Sequence, residues 1–182
     1  MVNTINSNSS PDGISQPYRI MGLDPGYDRL GFGFLDWHPT QPNHYIVGQW
    51  GVISTPKTET DAVRLAEIFQ DLGQLIAQYA PTHMVLERLF FFKNAKTVIP
   101  VAQARGIILL CAAQRGITVA EYTPQQVKQS LAGSGRADKR MVQDGVQSFL
   151  GLETLPKPDD AADALALAVT HTLFSRGQTV LV

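Results

Sequence analysis

Arg19-Ile20-Met21-Gly22-Leu23-Asp24-Pro25-Gly26 is a short apolar run that closes on a carboxylate and then on the two residues best suited to a change of direction. It reads as a strand turning a corner at Asp24, and the elements around it follow from there. Gly31 to Trp37 sets Phe32, Phe34 and Leu35 among small residues and reads as a second strand. His44 to Ser54, with Tyr45, Val47 and Val52, reads as a third. Pro and Asn punctuate these runs, so an antiparallel meander is the economical arrangement.

The period changes after Ser54. Val63, Ala66, Ile68, Phe69, Leu72, Leu75, Ile76 and Tyr79 fall at helical spacing between Thr58 and Tyr79, and Pro81 stops the pattern. His83 to Leu86 is too short for a helix and reads as a buried strand ending at Glu87. Thr97 to Gln114 is helical, with Gly116 as its stop. Ile117 to Tyr122 is a strand, and Thr123-Pro124 an N-cap followed by proline at the first helical position. Gly133 and Gly135 precede a helix from about Asp138 to Phe149. A last helix starts near Asp159 or Asp160 and reaches about Phe174. Three strands followed by alternating helices and strands give one mixed sheet with helices packed on it, a single α/β domain.

Length and composition agree. A chain of 182 residues, 44% of them hydrophobic, can bury one core unaided. Residues 1–17 are expected to form a flexible extension rich in Asn and Ser, residues 18–176 the domain, and residues 177–182 a tail. The N-terminal stretch has no basic or apolar segment of the secretory kind, and no apolar run reaches membrane-spanning length. Cys111 is the one cysteine, which excludes an internal disulfide and favours a cytoplasmic location; it reads as a small core residue. The net charge of -1 hides an asymmetry. Arg88 to Arg140 carries nine Lys or Arg against two acidic residues, and the rest of the chain six against fourteen. That pattern suits a basic face for a polyanion beside an acidic pocket for cations.

The acidic pocket has candidates. Asp24 and Glu87 each end an apolar strand, where a carboxylate is costly unless it lies in a cleft, is paired or binds metal. Asp160 and Asp163 lie three apart at the start of a helix and share a face; Asp159 with Asp163, four apart, is an alternative pair. Singly these are an ordinary turn residue, ion pair and cap. Together they are what a two-metal phosphodiesterase requires. Oxygen ligands suit Mg²⁺, with Mn²⁺ as substitute, and two ions roughly 3.5–4 Å apart can activate a water and stabilise the leaving oxygen. Phe90-Phe91-Phe92 and Lys93-Asn94-Ala95-Lys96 follow Glu87, so an aromatic beside the site can stack on an unpaired base. Lys128, Arg136, Lys139 and Arg140 are candidate phosphate contacts.

These residues sit in blocks that resemble the RuvC family of crossover-junction endodeoxyribonucleases. The blocks are Met21-Gly22-Leu23-Asp24-Pro25-Gly26, the stretch from Glu87 to Ala95, Gln103-Ala104-Arg105-Gly106, Gln125-Gln126-Val127-Lys128-Gln129, and Asp160-Ala161-Ala162-Asp163-Ala164-Leu165-Ala166. In this order they span Ile20 to His171. The resemblance implies a ribonuclease-H-like fold, a homodimer, symmetrical nicking of a four-way (Holliday) DNA junction, and RuvA and RuvB as branch-migration partners. It places Asp24, Glu87, Asp160 and Asp163 as metal ligands with two Mg²⁺ per site, Phe90 at the junction centre, and Lys128 and Lys139 at the substrate. Tyr27-Asp28-Arg29-Leu30 departs from the usual small, polar and basic run, and Asp28 is expected to add a negative charge near the site. An actin- or sugar-kinase-like phosphotransferase also opens on an acidic strand–turn, but no second lobe or nucleotide-phosphate loop is visible here. The altered residues after Gly26 motivate a third reading, a junction binder without catalysis.

Overall fold

The structure, a computed structural model, describes residues 17–26, 28–38, 41–88 and 95–179, apart from the side chains of residues 42, 95–97 and 177–179. The described elements are β1 (Tyr18–Pro25), β2 (Arg29–His38), β3 (Gln41–Ser54), α1 (Asp61–Tyr79), β4 (His83–Glu87), α2 (Ala95–Gln114), β5 (Thr118–Tyr122), α3 (Pro124–Ala132), α4 (Lys139–Leu150) and α5 (Asp159–Thr179). The strands form one sheet in the order β3-β2-β1-β4-β5. β1, β2 and β3 pair antiparallel, as the meander expectation has it, while β4 and β5 add in parallel. Parallel neighbours need crossovers, and α1 and α2 supply them.

Each face of the sheet has its own core, as the alternation of side chains requires. Met21, Leu23, Phe34, Met84 and Leu86 point to one face and pack with Ile68, Leu72 and Ile76 of α1 and Ala104, Ile108 and Cys111 of α2. Cys111 is fully buried there, the small core residue its surroundings suggest. Ile20, Leu35, Trp37 and Val85 point to the other face and pack with Val127 of α3, Val142 and Val146 of α4, and Leu165 to Val169 of α5.

The local signals are obeyed closely. Thr123 makes a full capping box with Gln126, with Pro124 in the first turn. Asp138 accepts the backbone N–H of Met141 and caps α4. Gly116, Gly133 and Gly151 take positive φ after α2, α3 and α4. The last helix runs on to Thr179, beyond the expected stop near Phe174 and into the expected tail. No proline interrupts it, and beyond Phe174 the Arg176 guanidinium packs over the rings of Tyr45 and Phe149, 5.9 and 5.4 Å from their centres. Among the described residues no helix is long and apolar enough to cross a membrane.

One contact positions everything that follows. Gly22 on β1 faces Gly33 on β2, and Asp24 faces Gly31. A side chain at any of these glycines would collide with α5. A Cβ on Gly22 would lie 1.9 Å from the carbonyl oxygen of Ala164, one on Gly31 2.1 Å from that of Asp160, and one on Gly33 2.6 Å from Leu165 Cγ. Ala161, Ala164 and Ala168 supply the matching small face of the helix. The backbone of α5 therefore lies almost on the sheet, with its N-terminus over the end of β1.

Candidate active site

Side chains along a strand alternate, so Gly22 and Asp24 point to the α5 face with Ile20, and Gly31 and Gly33 do so opposite them. Val85 faces the same side, and Glu87 follows two residues later at the end of β4. Leu23 is registered with Leu86 in the parallel pair, so the next step brings Asp24 beside Glu87. The absence of a side chain at Gly31 lets Asp160 settle on the strand opposite Asp24. Asp163 is one turn further along α5. Four carboxylates from three elements remote in sequence thus gather at one end of the sheet.

Their electrostatics register the crowding. The Asp24 carboxyl is pushed up to about 7, first by burial and then by the charges of Asp163, Glu87 and Asp160. Glu87 is raised by burial and by Asp163, against the pull of the Lys128 ammonium. Asp163 is raised by burial despite accepting a 3.1 Å hydrogen bond from Lys139 Nζ. Burial opposes the charge on Lys139, but its bonds to Asp163 and Asp159 outweigh that and raise its pKa.

Two cations already touch the helical half of the cluster. Lys139 Nζ lies 3.2 Å from Asp159 and 3.1 Å from Asp163. Arg29 Nη2 lies 3.0 Å from Asp160 Oδ2. That approach is off the hydrogen-bonding direction, and Asp160 Oδ2 is left buried with no hydrogen-bond partner. Asp159, with a side chain 69% exposed, faces Lys139 and is absent from the charges that act on Asp24. Of the two rival pairs, 160 and 163 is the one whose members both act on Asp24.

Among the described residues no three His, Cys, Asp or Glu side chains stand close enough to hold one ion. The expected ligand cage is therefore not preformed among the described residues, and Arg29 and Lys139 contact its helical half. The donor set still fits a hard divalent cation. It is all oxygen, its crowded negative charge adds to burial in pushing Asp24 up to about 7, and it contains an unpartnered buried oxygen on Asp160.

Other expected contacts fall out differently. Phe90 and Lys93 lie outside the described residues, as does the side chain of Lys96. Lys128 stands near enough to Glu87 to stabilise its charge. Arg136 and Arg140 are exposed, one just before α4 and one in its first turn. Not all of the basic segment forms an open face. Arg105 pairs with Glu121 and donates a 3.0 Å hydrogen bond to the carbonyl of Glu87, so it braces β4 from beneath. Arg88 lies 3.7 Å from Glu121, and Arg115 donates to the carbonyl of Cys111.

Asp28 corrects an expectation. It does not add charge at the site, because alternation turns it away from Arg29 toward α1. There it accepts from Arg64 at 2.7 Å and pairs with Lys57 at 2.9 Å, which hold its pKa below the usual carboxylate range. Arg29 itself carried no sequence expectation beyond being part of an unusual run. Its signal was strand parity with Gly31 and Gly33, which places it on the α5 face.

Comparison with known proteins bears on the family and the fold. The family profile described as "Crossover junction endodeoxyribonuclease RuvC" matches residues 20–171. A protein of that description from Gloeobacter violaceus is 50% identical over 152 residues, covering 84% of this chain and 86% of the relative. One from Fusobacterium nucleatum is 46% identical over 153 residues, covering 84% and 79%. Among solved structures, Thermus thermophilus RuvC in complex with Holliday junction substrate superimposes with a TM-score of 0.82 at 32% identity, covering 89% of this chain and 97% of that one. The yeast mitochondrial Holliday junction resolvase shares the fold, with a TM-score of 0.66 at 16% identity over 93% of this chain and 84% of its own.

Proposed function

The chain belongs to the RuvC family of crossover junction endodeoxyribonucleases, and from that premise we propose that it resolves four-way DNA junctions by metal-dependent hydrolysis of phosphodiester bonds, with Asp24, Glu87, Asp160 and Asp163 as its metal ligands. The carrying observation is that Asp24 feels the charges of the other three, which come from elements 63 to 139 residues away in sequence. Structural ion-pair networks also crowd charge, but they balance it locally. Here a carboxyl is lifted to about 7 with two cations already present.

Mg²⁺ is the proposed ion, with Mn²⁺ as a substitute. When bound, two such ions would activate the attacking water and neutralise the charge that develops on the leaving oxygen. The chain's own residues do the rest. Asp24 and Glu87, fixed at the ends of paired strands, supply the rigid side of the site. Asp160 and Asp163 supply the other side from the first turns of α5. Lys128 and Lys139 flank the carboxylates and suit phosphate oxygens, and Arg136 and Arg140 extend the basic surface. Phe90, Lys93 and Lys96 complete the proposed DNA contacts.

A homodimer is proposed from α2. Ile99, Leu109 and Leu110 are exposed on its outer face, and a Cβ on Gly106 between them would meet nothing within 4 Å. An open glycine on an uncovered apolar helix face suits close approach of a second copy. Branch-migration proteins RuvA and RuvB are the proposed protein partners, and the cytoplasm the proposed location.

The test uses labelled four-way and linear duplex DNA, each with and without Mg²⁺. Paired nicks in the junction alone, dependent on metal, are expected. Equal cutting of both substrates would remove junction selectivity, and cleavage in EDTA would remove the metal.

A further inference from the structure

The chain just after the turn at Asp24 is clamped against α1. Asp28 accepts from Arg64 Nη2 at 2.7 Å and pairs with Lys57 at 2.9 Å, while its carbonyl accepts the N–H of Thr55 at 3.3 Å. Arg64 is buried and also donates through Nε to Thr55 Oγ1 at 2.9 Å. This clasp fixes the start of β2 against α1. Arg29, the next residue, must then project to the opposite face, over the N-terminus of α5. Its guanidinium lies 3.0 Å from Asp160 Oδ2.

The contact has an uneven character. Asp160 Oδ2 is buried, and a buried ionised oxygen without compensation is costly. Arg29 supplies the charge but no aligned hydrogen bond, and its own side chain is 54% exposed. The pair is therefore held by charge rather than direction, and more than half of the Arg29 side chain is open to solvent. Lys139 treats Asp163 in a similar way but with a hydrogen bond, and is tethered a second time by Asp159.

We propose that Arg29 is a built-in counter-ion: it neutralises Asp160 while the site holds no metal, and it gives up that carboxylate when a divalent cation binds. Arg29 is a positioning residue, not a catalytic one. Its charge faces the buried Oδ2 of Asp160, whose backbone lies against Gly31. A divalent cation would offer Asp160 Oδ2 twice the charge of the guanidinium, and that oxygen has no hydrogen-bond partner to give up. The inference rests on the reading of Asp160 as a metal ligand.

The experiment is a Mn²⁺ titration of the DNA-free protein, followed by calorimetry and by the electron paramagnetic signal of free Mn²⁺. Wild type, Arg29→Met and Arg29→Lys are compared, with melting curves in EDTA and in saturating Mn²⁺. Removing the competing charge in Arg29→Met is expected to tighten Mn²⁺ binding about three- to tenfold, within the range of a partly exposed ion pair. Arg29→Lys should bind as wild type does. Arg29→Met should also melt lower in EDTA, and saturating Mn²⁺ should close that gap. A merely structural residue would lower stability and metal affinity together. Unchanged or weaker Mn²⁺ binding by a folded Arg29→Met overturns the counter-ion role while leaving the metal site intact. No Mn²⁺ uptake by wild type overturns both this role and the ligand assignment beneath it.

Discussion

Replacing Asp24 by Asn should make the metal-free protein more stable while abolishing cleavage. The carboxyl is pushed up to about 7 from an ordinary 3.8, chiefly by burial and then by Asp163, Glu87 and Asp160. Each unit is worth about 1.4 kcal/mol, so carrying the ionised group in the folded state costs on the order of 4 kcal/mol once the pH is well above 7. The folded pKa lies above the unfolded one. Between about pH 4 and pH 7 the folded state therefore holds the proton more tightly than the unfolded chain does. This group's contribution is most favourable below pH 4, declines as the pH rises, and levels off above 7. Asn keeps the shape and removes the charge. Urea unfolding in EDTA should show an advantage for Asp24→Asn of at most about 1 kcal/mol near pH 4.5 and about 2–4 kcal/mol near pH 8, a large share of an ordinary domain's stability. In melting temperature that is roughly 5–15 °C for a domain of this size. Excess Mg²⁺ should stabilise wild type and not the variant, so the gap shrinks as metal is added. Equal stability at pH 8, or a difference that does not change between pH 4.5 and 8, would refute the claim that these four carboxylates strain one another.

Gly22→Ala places a methyl 1.9 Å from the Ala164 carbonyl oxygen, so β1 and α5 must separate. A stability loss of about 1–3 kcal/mol is expected, with a larger proportional loss of cleavage because Asp163 moves away from Asp24; a wild-type melt with wild-type cleavage would show that the close contact is dispensable. Leu110→Asp puts a charge on the exposed face of α2. Light scattering should report a monomer with an unchanged melting profile of the fold, and a persistent dimer would place the interface elsewhere.

How much of this was legible in the sequence depends on the range of the signal. Strand alternation, the Thr123-Pro124 start and the glycine stops are local rules, and each holds in the structure. The register of β1 with β4 is not local, yet two apolar runs that both end in a carboxylate anticipate it. The end of α5 was hidden because the residue that packs beyond Phe174 is a charged one: the Arg176 guanidinium lies over the rings of Tyr45 and Phe149, a contact that an apolar pattern passes over. The choice between Asp159 and Asp160 could not be made from spacing, since both lie within reach of Asp163 on an ideal helix. What spacing does not carry is the approach at Gly31, where the Asp160 carbonyl oxygen lies 2.1 Å from where a Cβ would be, while Asp159 pairs with Lys139. Asp28 was misjudged for the same reason in reverse. Nearness in sequence to Asp24 suggested nearness in space, but one step along a strand reverses the face, and the partner that claims it, Arg64, is 36 residues away. The charge that does reach the site is its neighbour Arg29. Parity along β2 therefore separates two adjacent ionisable residues into an anchor on one side of the sheet and a counter-ion on the other, and the clamp on Asp28 is what keeps Arg29 within 3.0 Å of Asp160.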